Sequence, residues 1–373
     1  MDTKEWFPRP ENPDATYRRH GEGEGTVTWL RRSTHPLADD CRDFLNRNLS
    51  TLPESCSKGI FKHLCHDLQY RVGFFELVVA RTLQLLGADI EYEPVNPVDG
   101  SQVDFVAKFP YGTVFVEAVS PLLDKELGTV LSREAPLTQL IEENVPPGWA
   151  ADIRELPNVG PDGSKRPIRA FLQREMAIPP PTSDDDEVEI RGSFEQGDLR
   201  VILFPQSRHG LSAGTKIAMG NVIAYWPNDE AALRGAVKRK YRQLRNLAGT
   251  TLVALNMSSH TAVREDLDRA LFGTSVTQID QYRNEVGRYF ERNGLLAGGE
   301  GEPTISGVLA FPEVGFLGCA DPVLWVHPRF EGEYPRVLND LETRYAPNAE
   351  PEVIVRPAKK TDLLKDLGFV EDR

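Results

Sequence analysis

The chain has 373 residues, of which 40% are hydrophobic and 27% charged, a composition typical of a soluble globular protein long enough for one large domain or two. Its net charge of −13 argues against a general polyanion-binding protein. No apolar run approaches the roughly 18 residues that a membrane span requires, so no membrane association is expected.

The N-terminal segment and the cysteines both favour a cytoplasmic location. The opening MDTKEWFPRPENPD is polar and contains no apolar core of a secretory signal. The chain has four cysteines without a C-x-x-C pair or a disulfide framework, which predicts reduced thiols: Cys41, Cys56, Cys65 and Cys319.

The first strong helical pattern after residues 36–70 is VGFFELVVARTLQLLG, which Gly87 is expected to end by adopting a left-handed conformation. On a wheel of 100° per residue, Glu76 falls within about 40° of Val72, Ala80 and Leu83. The helix therefore carries one carboxylate in its apolar stripe.

A β-hairpin is predicted at SQVDFVAKFPYGTVFVEAVS, residues 101–120, with FPYG as its turn. Both faces of both strands are largely apolar, which is typical of central strands, yet they contain Asp104 and Glu117. Burying a lone charge costs several kcal/mol, so each carboxylate must be paired, bound to a metal or at a strand end beside a cleft. Structural salt bridges for the two acids are an equal alternative at this point.

A basic helix is predicted at NDEAALRGAVKRKYRQLRNLAG, followed by the apolar strand TTLVALNMS. Within it, RGAVKRKYRQLR carries six Lys or Arg and no acid. Lys240 lies in the middle of the apolar stripe, where it either points inward or extends its ammonium to the surface along the stripe. A row to one side of that stripe is expected to face solvent or phosphate: Arg234, Lys238, Arg242 and Arg245.

Strands that alternate with helices predict an α/β fold with a mixed central sheet flanked by helices. We expect N-terminal helices and an extension in residues 1–69 and a core in residues 70–260 that includes the apolar strand LRVILFPQ. An insertion is expected at about 122–197, and residues 261–373 are expected to form a C-terminal α/β extension packed on the core.

Four of these segments together resemble the core of the PD-(D/E)XK nucleases, the restriction-endonuclease-like fold. They are GFFELVVARTLQLLG, SQVDF, VFVEAVS and KYRQLRNLAGTTLVALN, and the similarity covers residues 70–120 and 198–256. WLRRSTHPLADDCRDFLN also resembles uncharacterised bacterial members of this superfamily. Two positions depart from the family pattern: Val103 replaces its proline, and Val119 replaces its lysine. Some members take an equivalent lysine from a neighbouring helix, and Lys240 is placed for that role.

The resemblance implies a Mg²⁺- or Mn²⁺-dependent deoxyribonuclease, with DNA a better candidate substrate than RNA. The implied metal ligands are Asp104, Glu117, the backbone carbonyl of Ala118 and, directly or through water, Glu76. Lys240 would orient the attacking water, and Gln102 would support Asp104 from the same face. The basic row would contact the nucleic-acid backbone, and two copies would pair if both strands of a duplex are cut.

Three classes of function remain open at this stage. The first is a nuclease of bacterial defence or DNA repair, and the second is a catalytically inactive nuclease-like module that binds nucleic acid or a protein partner. The third is an interaction protein without a nucleic-acid role. CSKGIFKHLCHD contains cysteines and histidines, but their spacing matches no familiar zinc finger and favours a packed helix.

Overall fold

The structure is a computed structural model of the chain. It describes residues 5–10, 25–67, 69–95, 100–121, 137–159, 164–209, 217–219, 229–245, 247, 249–257, 262–279, 282, 285–291, 293–296, 304–315, 318–346, 353–359 and 362–368. These residues divide into two units: one contains the described residues up to 121 and from 229 onward, and the other contains those from 137 to 219.

The helices and strands follow each other in mixed order along the chain. The helices are α1 (Thr26–Arg32), α2 (Pro36–Thr51), α3 (Glu54–Leu64), α4 (Tyr70–Leu85), α5 (described over 137–144), α6 (Arg166–Glu175), α7 (Asp229–Leu244) and α8 (Arg264–Phe272). The strands are β1 (Asp89–Tyr92), β2 (Phe105–Phe109), β3 (Gly112–Val119), β4 (Trp149–Glu155), β5 (Val188–Phe194), β6 (Gly197–Pro205), β7 (Ile217–Met219), β8 (Thr250–Asn256), β9 (Ser275–Ile279), β10 (Glu285–Phe290), β11 (Gly307–Phe311), β12 (Val323–Val326), β13 (Glu342–Tyr345) and β14 (Ile354–Arg356). Among the described helices, none has both the length and the apolar character that crossing a bilayer demands.

Local sequence explains where the N-terminal helices begin and end. Pro36 occupies the first turn of α2, and the His35 side chain caps that helix by accepting a hydrogen bond from the backbone N–H of Leu37. Gly87 follows α4 with φ of 90°, and the N–H of Ala88 bonds the carbonyl of Leu83. The predicted end of this helix at Gly87 is therefore confirmed, because glycine adopts positive φ without a steric penalty.

The larger unit is built on a mixed sheet. Among the described residues it has eight strands in the order β1-β2-β3-β8-β11-β12-β13-β14. β2 and β3 form the predicted antiparallel hairpin, and β3 pairs in parallel with β8, which follows α7. The predicted α/β class and mixed central sheet are thus confirmed.

Helices cover both faces of this sheet. Phe105, Val116 and Leu252 pack in one apolar cluster with residues of α2, α3 and α4. Val106 and Val253 pack in a second cluster with residues of α7 and α8. Because successive side chains of a strand point to opposite faces, this assignment fixes the face of every residue on β3.

The C-terminal segment belongs to the sheet itself. β11 pairs in parallel with β8, and β12 to β14 continue the same sheet. The prediction of an α/β extension packed on the core understated this link, because the pairing partner of a strand is not encoded in its own apolar pattern.

The smaller unit has its own sheet and its own core. Its strands lie in the order β5-β6-β4-β7, and residues such as Trp149, Leu172 and Val201 form a separate apolar cluster with α6. β6 contains the LRVILFPQ segment, so this segment pairs with β4 and β5 and does not belong to the core sheet as we predicted. The inserted unit therefore extends beyond the expected limit near residue 197 and includes β7.

Candidate active site

Asp104 and Glu117 lie opposite each other at one end of the hairpin. Phe105 pairs with Val116, and continuing this register by one residue places Asp104 opposite Glu117. The Asp104 carboxylate accepts a hydrogen bond from the backbone N–H of Ala118 at 2.7 Å, which fixes its position beside β3. Glu117 alternates with Val116, so its side chain projects toward the α7 face, where it is fully buried.

Lys240 reaches both carboxylates from α7. Its Nζ lies 2.7 Å from Oε2 of Glu117 and 3.6 Å from Oδ2 of Asp104. Helix α7 packs against β3, and Leu233 and Val237 of its apolar face are buried in the same cluster as β8 residues. The inward direction that the helical wheel suggested for Lys240 is the one observed, and Lys240 and Glu117 meet although 123 residues separate them.

Burial and mutual repulsion control the protonation of this cluster. Burial, and then the neighbouring charge of Asp104, raise the pKa of Glu117, while Lys240 opposes both effects. Burial lowers the pKa of Lys240, but the charges of Asp104 and Glu117 outweigh it and the net direction is upward. Oε1 of Glu117 is buried and receives no hydrogen bond in the described part of the chain. Such an atom normally has a partner, which makes it a candidate cation ligand.

The donor set fits a hard divalent cation. Mg²⁺ is bound in proteins through one or two carboxylates, with water and substrate phosphate completing its octahedron. Asp104, Glu117 and the backbone carbonyl of Ala118 supply ligands of this kind at one strand end. No group of three His, Cys, Asp or Glu side chains among the described residues is spaced to hold a metal, so any site here would depend on water and substrate for its remaining ligands.

Glu76 is buried as the helical wheel predicted, but it does not share a hydrogen bond with the other two acids. Its Oε2 lies 3.0 Å from Nδ1 of His63 and accepts a hydrogen bond from the Tyr92 hydroxyl at 3.2 Å. The reason is that α4 packs on the sheet face opposite α7. Val72, predicted in the same stripe, is 46% exposed because it lies in the first turn of α4.

The predicted basic row is divided by the structure. Arg234 forms an ion pair with Glu230 and donates a hydrogen bond to the carbonyl of Ala270, so it holds α7 to α8. Lys238 and Arg245 are exposed, whereas the side chain of Arg242 lies outside the described residues.

Several residues near the candidate site were not identified from the sequence, and Gln102 has a position of its own. It missed the exposed Arg239, for which the available signal was its place in the unbroken run KRK. His63 and Tyr92 were not connected to Glu76, because no sequence pattern relates α3, α4 and β1. Gln102 forms an isolated β-bridge with Val95 and has an exposed side chain.

Val119, at the position where the resemblance would place a lysine, adds no ligand to the candidate site. The segment with cysteines and histidines adds none either. Val119 is partly buried and packs on the cluster beneath α7. The candidate zinc segment forms α3, in which Cys56 is fully buried while His66, just beyond it, is exposed. The interpretation of this segment as a packed helix agrees with that arrangement.

Comparisons of the chain with protein-family models, with curated proteins and with solved structures gave no match.

Proposed function

We propose that this protein is a metal-dependent hydrolase that cleaves phosphodiester bonds in DNA. The observation that supports the proposal best is the convergence of Asp104, Glu117 and Lys240 at one strand end, within 3.6 Å of the lysine nitrogen. The residue before β2, strand β3 and helix α7 contribute these side chains, and the PD-(D/E)XK resemblance implies the same three residues as the reactive group.

Each side chain has a distinct part in the proposed reaction. Asp104 and Glu117 would hold Mg²⁺ or Mn²⁺ together with the backbone carbonyl of Ala118. The bound ion would polarise a phosphoryl oxygen and lower the pKa of a coordinated water. Lys240 carries a positive charge on a largely buried side chain, so it can orient the attacking water and stabilise the charge that develops on the phosphoryl group.

The exposed face of α7 supports a nucleic-acid substrate. Lys238, Arg239 and Arg245 are exposed on or just after the helix that carries Lys240. Cations in such a row neutralise backbone phosphates, so binding is expected to weaken steeply as salt rises. A local basic surface of this kind is compatible with the net charge of −13, because contact depends on where the cations cluster.

The proposal is tested by Mg²⁺- or Mn²⁺-dependent cleavage of single-stranded and duplex DNA by wild type, Glu117→Gln and Lys240→Met. Lys108→Met and Glu91→Gln are matched controls, because Lys108 and Glu91 form an exposed ion pair on the same sheet at 2.8 Å. We expect the first two variants to lose cleavage and the controls to retain it. Equal cleavage by all five proteins would contradict the proposal.

A second candidate is a catalytically inactive module that binds nucleic acid or a protein partner. It is favoured by the direct contact of Lys240 with Glu117, which neutralises that carboxylate without a metal, and by Val119 at the position of the family lysine. A module of this kind would retain salt-dependent DNA binding without cleavage under any metal. Absence of both cleavage and DNA retention would instead favour a protein partner.

The cellular setting that we propose is a bacterial cytoplasm, with a role in defence or DNA repair. All four cysteines are free thiols in the structure, which suits a reducing compartment. Two copies acting together would cut both strands of a duplex in one encounter, and sedimentation with and without a short duplex would reveal such pairing.

A further inference from the structure

A second polar cluster lies at the same edge of the sheet as the candidate metal ligands. It consists of His63 from the last turn of α3, Glu76 from α4 and Tyr92 from the end of β1. The Glu76 carboxylate contacts His63 Nδ1 at 3.0 Å and the Tyr92 hydroxyl at 3.2 Å through the same oxygen. Glu76 is 5% exposed, so a buried carboxylate orients the imidazole.

Two glycines make room for this cluster. A Cβ on Gly73 would lie 2.8 Å from the Cβ of His63, and a Cβ on Gly59 would lie 2.0 Å from the ring of Tyr92. Both separations are shorter than non-bonded carbon atoms tolerate. Gly73 therefore lets α4 approach the backbone of α3 at His63, and Gly59 leaves room for the phenol ring of Tyr92.

Strand pairing places this cluster beside Asp104. Tyr92 is the last residue of β1 and pairs with Phe105, and the next residue, Glu93, donates its backbone N–H to the carbonyl of Asp104 at 3.0 Å. Neighbouring strands are separated by about 4.8 Å, so the backbones that carry Tyr92 and Asp104 are adjacent. The two clusters approach this end of the sheet from its opposite faces.

His63 has the features of a proton donor. The contact to Glu76 engages Nδ1, whereas Nε2 makes no hydrogen bond to any described residue, and the side chain is 28% exposed. The carboxylate therefore holds the imidazole at one ring nitrogen and leaves the other ring nitrogen available to donate a proton.

We propose that His63 is a further catalytic residue, the general acid that protonates the leaving oxygen, and that Glu76 and Tyr92 position it. This inference rests on the proposed function. The oxygen of the attacking water forms a bond to phosphorus, and its proton passes to solvent. The bond from phosphorus to the leaving oxygen breaks, its electron pair stays on that oxygen, and the oxygen takes the proton from Nε2. Solvent then returns a proton to His63.

A substrate with sulfur as the leaving atom separates this role from a structural one. A thiolate leaves without protonation, whereas an alkoxide benefits from a general acid by about 10²- to 10⁴-fold. The oligonucleotides carry either oxygen or a single bridging sulfur on the 3′ or the 5′ side of the scissile phosphorus. The end groups of the products identify which of the two substitutions replaces the leaving atom.

We expect His63→Gln to slow cleavage of the oxygen substrate at least about 100-fold and cleavage of the sulfur substrate less than about threefold. His66→Gln is the matched control, because His66 is exposed in the following turn and should leave both rates unchanged. Tyr92→Phe removes one hydroxyl only, so it also tests the inference should His63→Gln not fold. It should slow the oxygen substrate several-fold and leave the sulfur substrate unaffected.

The possible failures can be distinguished. Suppose that wild type cleaves, and that the His63 and Tyr92 variants either slow both substrates equally or cleave both at the wild-type rate. His63 is then not the general acid, and the proposed nuclease function stands. If wild type cleaves neither substrate with Mg²⁺ or Mn²⁺, the proposed function fails and the role of His63 fails with it.

Discussion

Replacing Glu117 by glutamine should stabilise the metal-free protein, and increasingly so as the pH rises. The Glu117 side chain is fully buried, and burial together with Asp104 raises its pKa from 4.5 to about 8. Below about pH 4.5, Glu117 is protonated in both the folded and the unfolded state. Between the two values the unfolded state releases its proton while the folded state retains it, so folding stability falls as pH rises through this window. Glutamine does not titrate, so the Glu117→Gln variant does not lose folding stability in this pH window.

The size of the effect follows from the shift. At about 1.36 kcal/mol per pKa unit, a rise from 4.5 to about 8 corresponds to about 5 kcal/mol at most. The net shift already includes the attraction of Lys240. Structural relaxation and water penetration reduce the penalty of a buried charge, so we expect about 2–3 kcal/mol at about pH 9 and almost none near pH 4. For a domain of this size the corresponding rise in unfolding temperature is about 4–10 °C.

Thermal unfolding of wild type and Glu117→Gln, followed by circular dichroism from about pH 4 to about pH 9 without metal, measures the difference. Glu91→Gln serves as the control, because Glu91 pairs with Lys108 at the surface and such pairs contribute about 1 kcal/mol or less. Excess Mg²⁺ should raise the midpoint of wild type but not that of Glu117→Gln. A stability difference independent of pH, or a variant less stable than wild type at high pH, would refute the reasoning.

Three further predictions concern surface charge, packing and a buried ion pair. Lys238→Ala should lower the slope of log binding constant against log salt for duplex DNA by about 0.9, and an unchanged slope would exclude a phosphate contact. Gly59→Ala should cost about 1–3 kcal/mol in urea unfolding, because the new methyl group overlaps the ring of Tyr92; a neutral effect would show that the ring moves freely. Asp268→Ala should cost about 3–5 kcal/mol, since it leaves the buried guanidinium of Arg344 with only its longer contact to Glu342 and removes the acceptor of the Trp325 indole N–H; a loss below about 1 kcal/mol would contradict that interpretation.

The fold was predictable where the signal is local. The hairpin of β2 and β3 and the strand β8 follow directly from apolar alternation between turn residues, and Gly87 marks the end of α4. The assignment of strands to sheets was not predictable in the same way. β6 is as apolar as β8, yet it pairs within the smaller unit, because pairing depends on contacts distant in sequence.

The candidate site was predictable to the extent that helical periodicity reveals a misplaced charge. The wheel placed both Lys240 and Glu76 among apolar neighbours, and both are largely buried. It gave no information on their partners. Lys240 contacts the acids on one sheet face, whereas Glu76 contacts His63 and Tyr92 on the other. The packing of α4 and α7 on the sheet determines these partners, and helical periodicity does not show it.

Because Lys240 lies on α7 and not on the hairpin, the three charged side chains come together late in folding. A lysine at position 119 would lie two residues from Glu117 and would join both acids as soon as the hairpin formed. Val119 instead packs in the apolar cluster beneath α7, and the cation arrives from a helix 123 residues further along the chain. The inserted unit lies between β3 and α7 in sequence, so the three charges meet only after α7 has docked on the sheet. Until then Asp104 and Glu117 repel each other without a counter-charge, and docking of α7 both completes the core and removes that repulsion.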